Sequence, residues 1–260
     1  MAPSEKYATV RSLSRGIALL QELNRLGHAK PAVLSSATKI DRTTTYRLLA
    51  TLQELGLVAQ NVSTDEYILT SAVRTLSEGF TSRDRLTRVV AQELGVLFKK
   101  VLWPTDFATF ERGAMVIRET THRFSPYSIH RAMVGQPRPL LNSALGRAAL
   151  AGASKAERTD MLRIAAGSGA LQFAPKQTIN DLVAKIVEEF KTRGYAYSVG
   201  GTEKRMSAIA LPVHSGRAVV GAINLVFFRG AMSIETAAEQ YLADLRHCIA
   251  SVEETLSRDE

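Results

Sequence analysis

The sequence predicts an α+β protein of two domains: a helical head with a short hairpin, then a larger domain of mixed helices and strands. Three observations carry this. Apolar residues recur at helical spacing through the first sixty positions, two short strand-like runs follow, and strands then return after helices up to a long C-terminal helix. The chain has 260 residues, 45% hydrophobic and 22% charged, enough to bury a core in each domain. No run is apolar and long enough to span a bilayer, and the opening MAPSEKYATV lacks the apolar core of a secretory signal. A cytoplasmic location and no membrane partner are expected. The single cysteine, Cys248, excludes a disulfide framework or a cysteine zinc site within one chain.

In the head, Val10, Leu13, Ile17, Leu20 and Leu23 predict a first amphipathic helix that stops at Gly27-His28. Pro31 suits the first turn of a short second helix, PAVLSSAT, where its missing N–H is not needed. Asp41 is an N-cap for a third helix. There Thr45, Leu48, Leu49, Leu52 and Leu55 form one stripe and Gly56 is the stop. LVAQN and EYILT around Val62-Ser63-Thr64-Asp65 read as a hairpin. Three helices and a hairpin in some seventy residues make a winged helix-turn-helix. SAVRTLSEGF reads as a short helix leading out.

Beyond it, Leu86 to Val101 is helical, and ATFERGAMVIRETTHRF has strands around a glycine turn. NSALGRAALAG, KAERTDMLRIAAG and TINDLVAKIVEEFKTRG are helices. SAIALPVHS and GRAVVGAINLVFF are strands joined at Ser215-Gly216, and SIETAAEQYLADLRHCIASVEETL is the closing helix. This order suggests a sensor-type sheet rather than a doubly wound one.

The opening of the third helix, DRTTTYR, carries the functional reading. Threonine is a mediocre helix former, so three in a row need another reason. Thr45 falls on the buried stripe, while Thr43, Thr44 and Arg47 face outward with Arg42 at the helix start. A helix N-terminus suits phosphate, short hydroxyls reach phosphates or base edges, and guanidinium groups add charge-assisted contacts. The chain carries a net charge of +8. Residues 1–60 hold 8 Lys/Arg against 4 Asp/Glu and residues 85–140 hold 9 against 4, which suggests two different anionic ligands. Arg11 and Arg15 on the first helix join the expected DNA contacts. From Leu57 to Val73 there is no Lys or Arg, so the hairpin would reach DNA through Asn61, Ser63, Thr64 and backbone N–H groups.

Enzyme signatures are missing: no G-x-S-x-G elbow, Walker A sequence or H-E-x-x-H occurs. His122 and His130 lack a clear third metal ligand. Cys248, between Leu245 and Ile249, reads as a buried thiol, and Trp103 as either a pocket aromatic or a core residue. No cofactor is implied.

VRSLSRGIALLQEL, PAVLSSATKIDRTTTYRLLATLQELGLV, EYILT, PLLNSALGRAALAG, SAIALPV and GAINLVF together resemble the IclR family of bacterial transcription regulators. VLWPTDFATF, VIRETTHRFS and HRAMVGQPRPLL look closest to its regulators of hydroxyphenylpropionate catabolism. The resemblance implies a winged helix-turn-helix over 1–70, a linker helix over 71–84 and a GAF-like effector-binding and oligomerisation domain over 85–260. It implies double-stranded operator DNA, a small aromatic acid, a second copy in a homodimer or homotetramer, and RNA polymerase as partners. By position it gives Ala144, Leu145, Gly200, Met206, Asn224 and Val226 to the effector, a set that suits a ring with polar handles. Arg118, Arg123, His130, Arg131 and Arg205 are candidates for its carboxylate, Arg131 and Arg205 being preferred. The family often has glycine where this chain has Lys39. A left-handed lysine costs about 1 kcal/mol more than glycine, so a different turn is expected there. The reading is a transcription regulator, expected to activate an aromatic-acid catabolic operon. A ligand-independent DNA-binding repressor and a small-molecule enzyme are the alternatives.

Overall fold

The computed structural model describes residues 9–78, 85–130, 132–171 and 178–258. The chain divides into two compact units, Met1–Thr81 with His130–Ala132, and Ser82–Ile129 with Met133–Glu260.

The first unit runs α1 (Arg11–Leu26), β1 (His28–Ala29), α2 (Pro31–Thr38), α3 (Arg42–Glu54), β2 (Val58–Asn61) and β3 (Glu66–Leu69). The strands form an antiparallel sheet in the order β1-β3-β2. β1, two residues that pair with Tyr67 and Ile68, was not expected from the sequence. Pro31 opens α2 at its first position. Leu19, Leu23, Leu34, Ile40, Leu49, Leu52, Val58 and Tyr67 close one core. A 3₁₀ turn (Ser71–Arg74) and α4 (Thr75–Glu78) follow; the rest of the expected linker helix, residues 79–84, lies outside the described residues.

Three expectations for this unit are corrected. Lys39 does adopt the left-handed conformation, φ 56° and ψ 29°, so the turn keeps the shape that glycine would favour. Leu55 does not join the buried stripe: α3 ends at Glu54, Gly56 turns the chain at φ 71°, and Leu55 is 64% exposed. On α1 the buried residues are Leu19 and Leu23, with Leu20 and Leu26 packed beside them, whereas Val10, Leu13 and Ile17 are exposed. The helix buries its C-terminal half in its own unit and leaves an apolar stripe uncovered on its N-terminal half.

The second unit runs α5 (Arg85–Val101), β4 (Thr105–Glu111), β5 (Ala114–Thr120), β6 (Pro137–Arg138), α6 (Ala144–Gly152), α7 (Lys155–Gly167), α8 (Ile179–Arg193), β7 (Ala196–Val199), β8 (Met206–Ser215), β9 (Ala218–Phe228) and α9 (Ile234–Ser257). Six antiparallel strands form one sheet in the order β6-β5-β4-β9-β8-β7. Successive side chains of a strand point to opposite faces, so β8 and β9 serve two cores at once. Ile209, Leu211, Ile223, Leu225 and Phe227 pack with Val90, Leu94 and Leu97 of α5 and Leu245, Ile249 and Val252 of α9. Ala208, Ala210 and Ala222 face the other way and pack with Ala144, Leu145, Ala148 and Ala149 of α6 and with Val183 and Ile186 of α8.

The second seam is made of small residues, which brings α6 close to its neighbours. A Cβ on Gly146 would collide with the Leu140 carbonyl, and one on Gly152 with the Pro212 ring. Trp103 is a core residue, buried on the α5–α9 side and stacked on Tyr127 with centroids 4.6 Å apart.

Candidate functional site

The start of α3 exposes Thr43 and buries Thr45 as their spacing predicts, while Thr44, expected outward, is partly covered. Thr45 is fully buried and its hydroxyl donates to the Asp41 carbonyl at 3.0 Å. Thr43, Arg42 and Arg47 are exposed, and Thr44 is half-buried. Asp41 caps the helix by accepting from the Thr44 N–H at 2.8 Å. That hydrogen bond is the largest cause holding its carboxyl below the usual range, and Arg15 adds to it through its charge. Two consequences follow. Arg15, on the exposed face of α1 one turn after Arg11, lies near enough to the head of α3 to be felt there. The Thr44 N–H, one of the groups that the sequence offered to phosphate, is already taken by an anionic side chain. The capping carboxylate offsets part of the positive end of the helix, so the guanidinium groups carry most of the positive charge on this face. Tyr46, 49% exposed between Thr43 and Arg47, also lies on this face. Its position three residues after Thr43 was the available signal.

The hairpin satisfies its own polar groups. Asn61 Oδ1 accepts from the Ser63 N–H and hydroxyl, and Asp65 Oδ1 accepts from Gln60 Nε2. Two of the three side chains expected to reach DNA, Asn61 and Ser63, are thus engaged within the turn.

In the second unit the expected effector residues fall into two groups. Ala144, Leu145 and Val226 belong to the cluster between α6 and the sheet. Asn224, 5% exposed, points to the same face by strand alternation. Gly200 sits in the turn after β7 at φ 65°, its N–H bonded to the carbonyl of Met206, which opens β8. Arg205 is exposed and does not join this buried face; Arg131 lies outside the described residues. Arg118 pairs with Glu111, Arg123 lies over the Phe124 ring, and His130 groups with the first unit.

Sequence reasoning missed the chemistry beside Asn224. One row of directly opposed residues, Thr120–Asp106–Asn224–Ala210–Ala196, crosses five strands on the α6 side. Asp106 is 1% exposed. The Thr120 hydroxyl donates to its Oδ1 at 2.7 Å, His122 Nε2 lies 3.5 Å from its Oδ2, and its own N–H donates to Asn224 Oδ1 at 2.8 Å. His122 in turn meets the Ser128 hydroxyl through Nδ1 at 2.6 Å. Burial by itself pushes the Asp106 carboxyl up; the charge of His122, hydrogen bonds from His122 and Thr120 and the field of Arg138 outweigh it and hold the group below the ordinary carboxylate range. Among the described residues no cluster of His, Cys, Asp and Glu could hold a metal ion.

A cleft of about 440 Å³ lies elsewhere, between α7 and α8, lined by Lys155, Arg158, Val183 and Lys191 among others. None of the expected site residues lines it. Cys248 is buried, and burial with the nearby Glu93 pushes its thiol up to about 12.

A winged helix-turn-helix with guanidinium and hydroxyl groups outward, followed by an antiparallel sensor-type sheet, defines a DNA-binding transcription regulator. Residues 12–62 match the IclR helix-turn-helix domain, and residues 81–254 match the domain described as bacterial transcriptional regulator IclR C-terminal. The chain belongs to the IclR family of transcription regulators. It is 27% identical over 222 residues to the DNA-binding transcriptional repressor YiaJ of Escherichia coli K12, covering 80% of this chain and 74% of YiaJ. It is 24% identical over 243 residues to the HTH-type transcriptional regulator KdgR of the same organism, covering 91% and 89%. In fold it resembles Thermotoga maritima IclR, with a TM-score of 0.64 at 16% identity over 95% of this chain and 99% of that one. It also resembles an IclR homolog from Microbacterium hydrocarbonoxydans complexed with 4-hydroxybenzoate, with a TM-score of 0.60 at 19% identity over 96% and 100%. These relatives are regulators, not enzymes.

Proposed function

We propose that this chain is an effector-responsive regulator, and an activator, of an operon for the breakdown of aromatic acids. Arg11, Arg15, Arg42, Thr43, Thr44 and Arg47 contact operator DNA. The face formed by Ala144, Leu145, Met206, Asn224 and Val226, with Gly200 at its edge, receives a small aromatic carboxylate such as a hydroxyphenylpropionate. Arg131 and Arg205 are the proposed partners of its carboxylate. The single observation that favours this use of the second unit is the placing of Asn224, a polar side chain at 5% exposure, on the buried face that also carries Ala144, Leu145 and Val226. The fold it shares with a relative that holds 4-hydroxybenzoate is consistent with it. A second copy completes the DNA-binding form, its α1 meeting the stripe Val10, Leu13 and Ile17, and activation then proceeds through RNA polymerase. The effector shifts the balance between arrangements of the DNA-binding heads by as much as its affinities for them differ.

A thermal-shift screen of phenylpropionates, cinnamates and benzoates tests the effector. A true effector at a hundred times its Kd should raise the melting temperature by roughly 5–10 °C, and no shift with any member would reject the reading. Repression relieved by the effector is the second reading, favoured by the similarity to the repressor YiaJ. Transcription in vitro with the effector present and absent separates the two signs.

A further inference from the structure

The buried row on the α6 side carries more chemistry than a ring-binding face needs. The orientation of the Asn224 amide is fixed. A backbone N–H can only donate, so the atom that meets the Asp106 N–H at 2.8 Å is the oxygen. The Asn224 Nδ2 is then turned away from that bond with two N–H groups, and no acceptor meets it among the described residues, although the residue is only 5% exposed. The Nδ2 is not among the fully enclosed atoms, so it reaches the space beside the sheet, where an acceptor from outside the chain can meet it.

Directly opposite stands the Asp106 carboxylate. It has room for about four hydrogen bonds. Thr120 and His122 supply two partners, from the far side of the row and from the chain beyond β5. Opposed side chains on neighbouring strands have Cβ atoms about 4.5–5.5 Å apart, so a single oxygen can bridge an amide nitrogen and a carboxylate there. A ligand carboxylate or carbonyl accepts from Asn224 but has nothing to give Asp106, and a carboxylate is repelled by it. An ammonium group donates to Asp106 but cannot accept from Asn224. A hydroxyl does both.

We propose that Asp106 and Asn224 together form a receptor for a ring hydroxyl of the effector. Asn224 Nδ2 donates to the hydroxyl oxygen, and the hydroxyl proton is donated to the Asp106 carboxylate. This rests on the reading of the α6-covered face as the effector site. It fixes the direction of the ligand: the hydroxylated edge of the ring lies against β4 and β9, and the carboxylate lies away from them. Thr120 is a positioning residue, holding Oδ1 so that Asp106 keeps its direction.

Calorimetry on the full chain tests this with 3-phenylpropionate, its two ring-hydroxylated isomers at the meta and para positions, and the two fluoro counterparts. Fluorine is close to a hydroxyl in size but has no proton to donate. One hydroxyl isomer should bind at least tenfold more tightly than 3-phenylpropionate, with its fluoro counterpart close to the parent. Asp106→Asn should bring that ratio below about threefold, with a melting curve run beside it to show that the variant folds. The ratio in the unaltered chain stands as a test by itself. If the parent acid binds and neither hydroxyl improves it, or if folded Asp106→Asn keeps the full ratio, the receptor is refuted and the effector face survives. If no aromatic acid binds, both fall together.

Discussion

Asp106 shows how far one residue can depart from what its strand suggests. A carboxylate at 1% exposure is costly unless paired, and here Thr120 and His122 hold it charged. A carboxyl depressed in the folded state contributes stability above its unfolded value, about 3.9, and loses it as pH falls through the lower folded value. Asp106→Asn should therefore show a shallower loss of stability on acidification below about pH 4, measured as urea midpoints from pH 2 to 5. Lys39 poses a second residue-scale test. It holds φ 56° where glycine is unstrained, so Lys39→Gly should stabilise the head by about 1 kcal/mol in denaturant unfolding. Cys248, with its thiol pushed up to about 12, should react with a thiol reagent at pH 8 only as fast as the chain opens. The split of Thr43 from Thr45 was legible because helical period alone assigns the faces. Asp106 was not, because a charged residue in a short strand reads as solvent-facing until the register of both neighbours is known.

The elements that position the sites depend on close approach. α6 lies against the loop before it and against β8 through Gly146 and Gly152, and neither position has room for a methyl group. Gly146→Ala should destabilise the second unit by about 1–3 kcal/mol, since the colliding atom is backbone that cannot swing aside. Thermal unfolding with and without an aromatic acid would read both the loss and its effect on the face beside Asn224. α3 rests on Leu49 and Leu52 behind its outward side, so Leu49→Ala should cost about 2–5 kcal/mol and weaken DNA binding only through unfolding of the head. Period and caps made most helices readable: Ser154 and Glu157 form a capping box and Gly194 ends α8 in a left-handed turn. β1 and β7 escaped for the opposite reason. Two and four residues hold too little pattern, and what makes them strands is pairing with segments distant in the sequence.

At the scale of the whole molecule, a head and a sensor unit share one chain, and α1 exposes the apolar stripe that the proposed function assigns to a second copy. Periodicity identified Val10, Leu13 and Ile17 as one face of a helix. It could not distinguish a face that packs on its own core from one left exposed, because both obey the same spacing. Ile17→Glu should shift sedimentation of the full chain toward smaller species and weaken operator binding, while leaving the affinity for an aromatic acid unchanged. Arg47→Ala should weaken DNA binding by about 1–3 kcal/mol and, if Arg47 meets phosphate, lower the salt dependence of binding by about one counterion per half-site. The measurement that bears most directly on the central claim, that the outward face of α3 lies in a DNA groove, is selection of bound duplexes from a random pool by the full chain. Two inverted half-sites should emerge with centres about 10 base pairs, or a multiple of that, apart, and Arg47→Ala should lose preference for them. No enriched sequence, or the same sequence bound equally by Arg47→Ala, would contradict it.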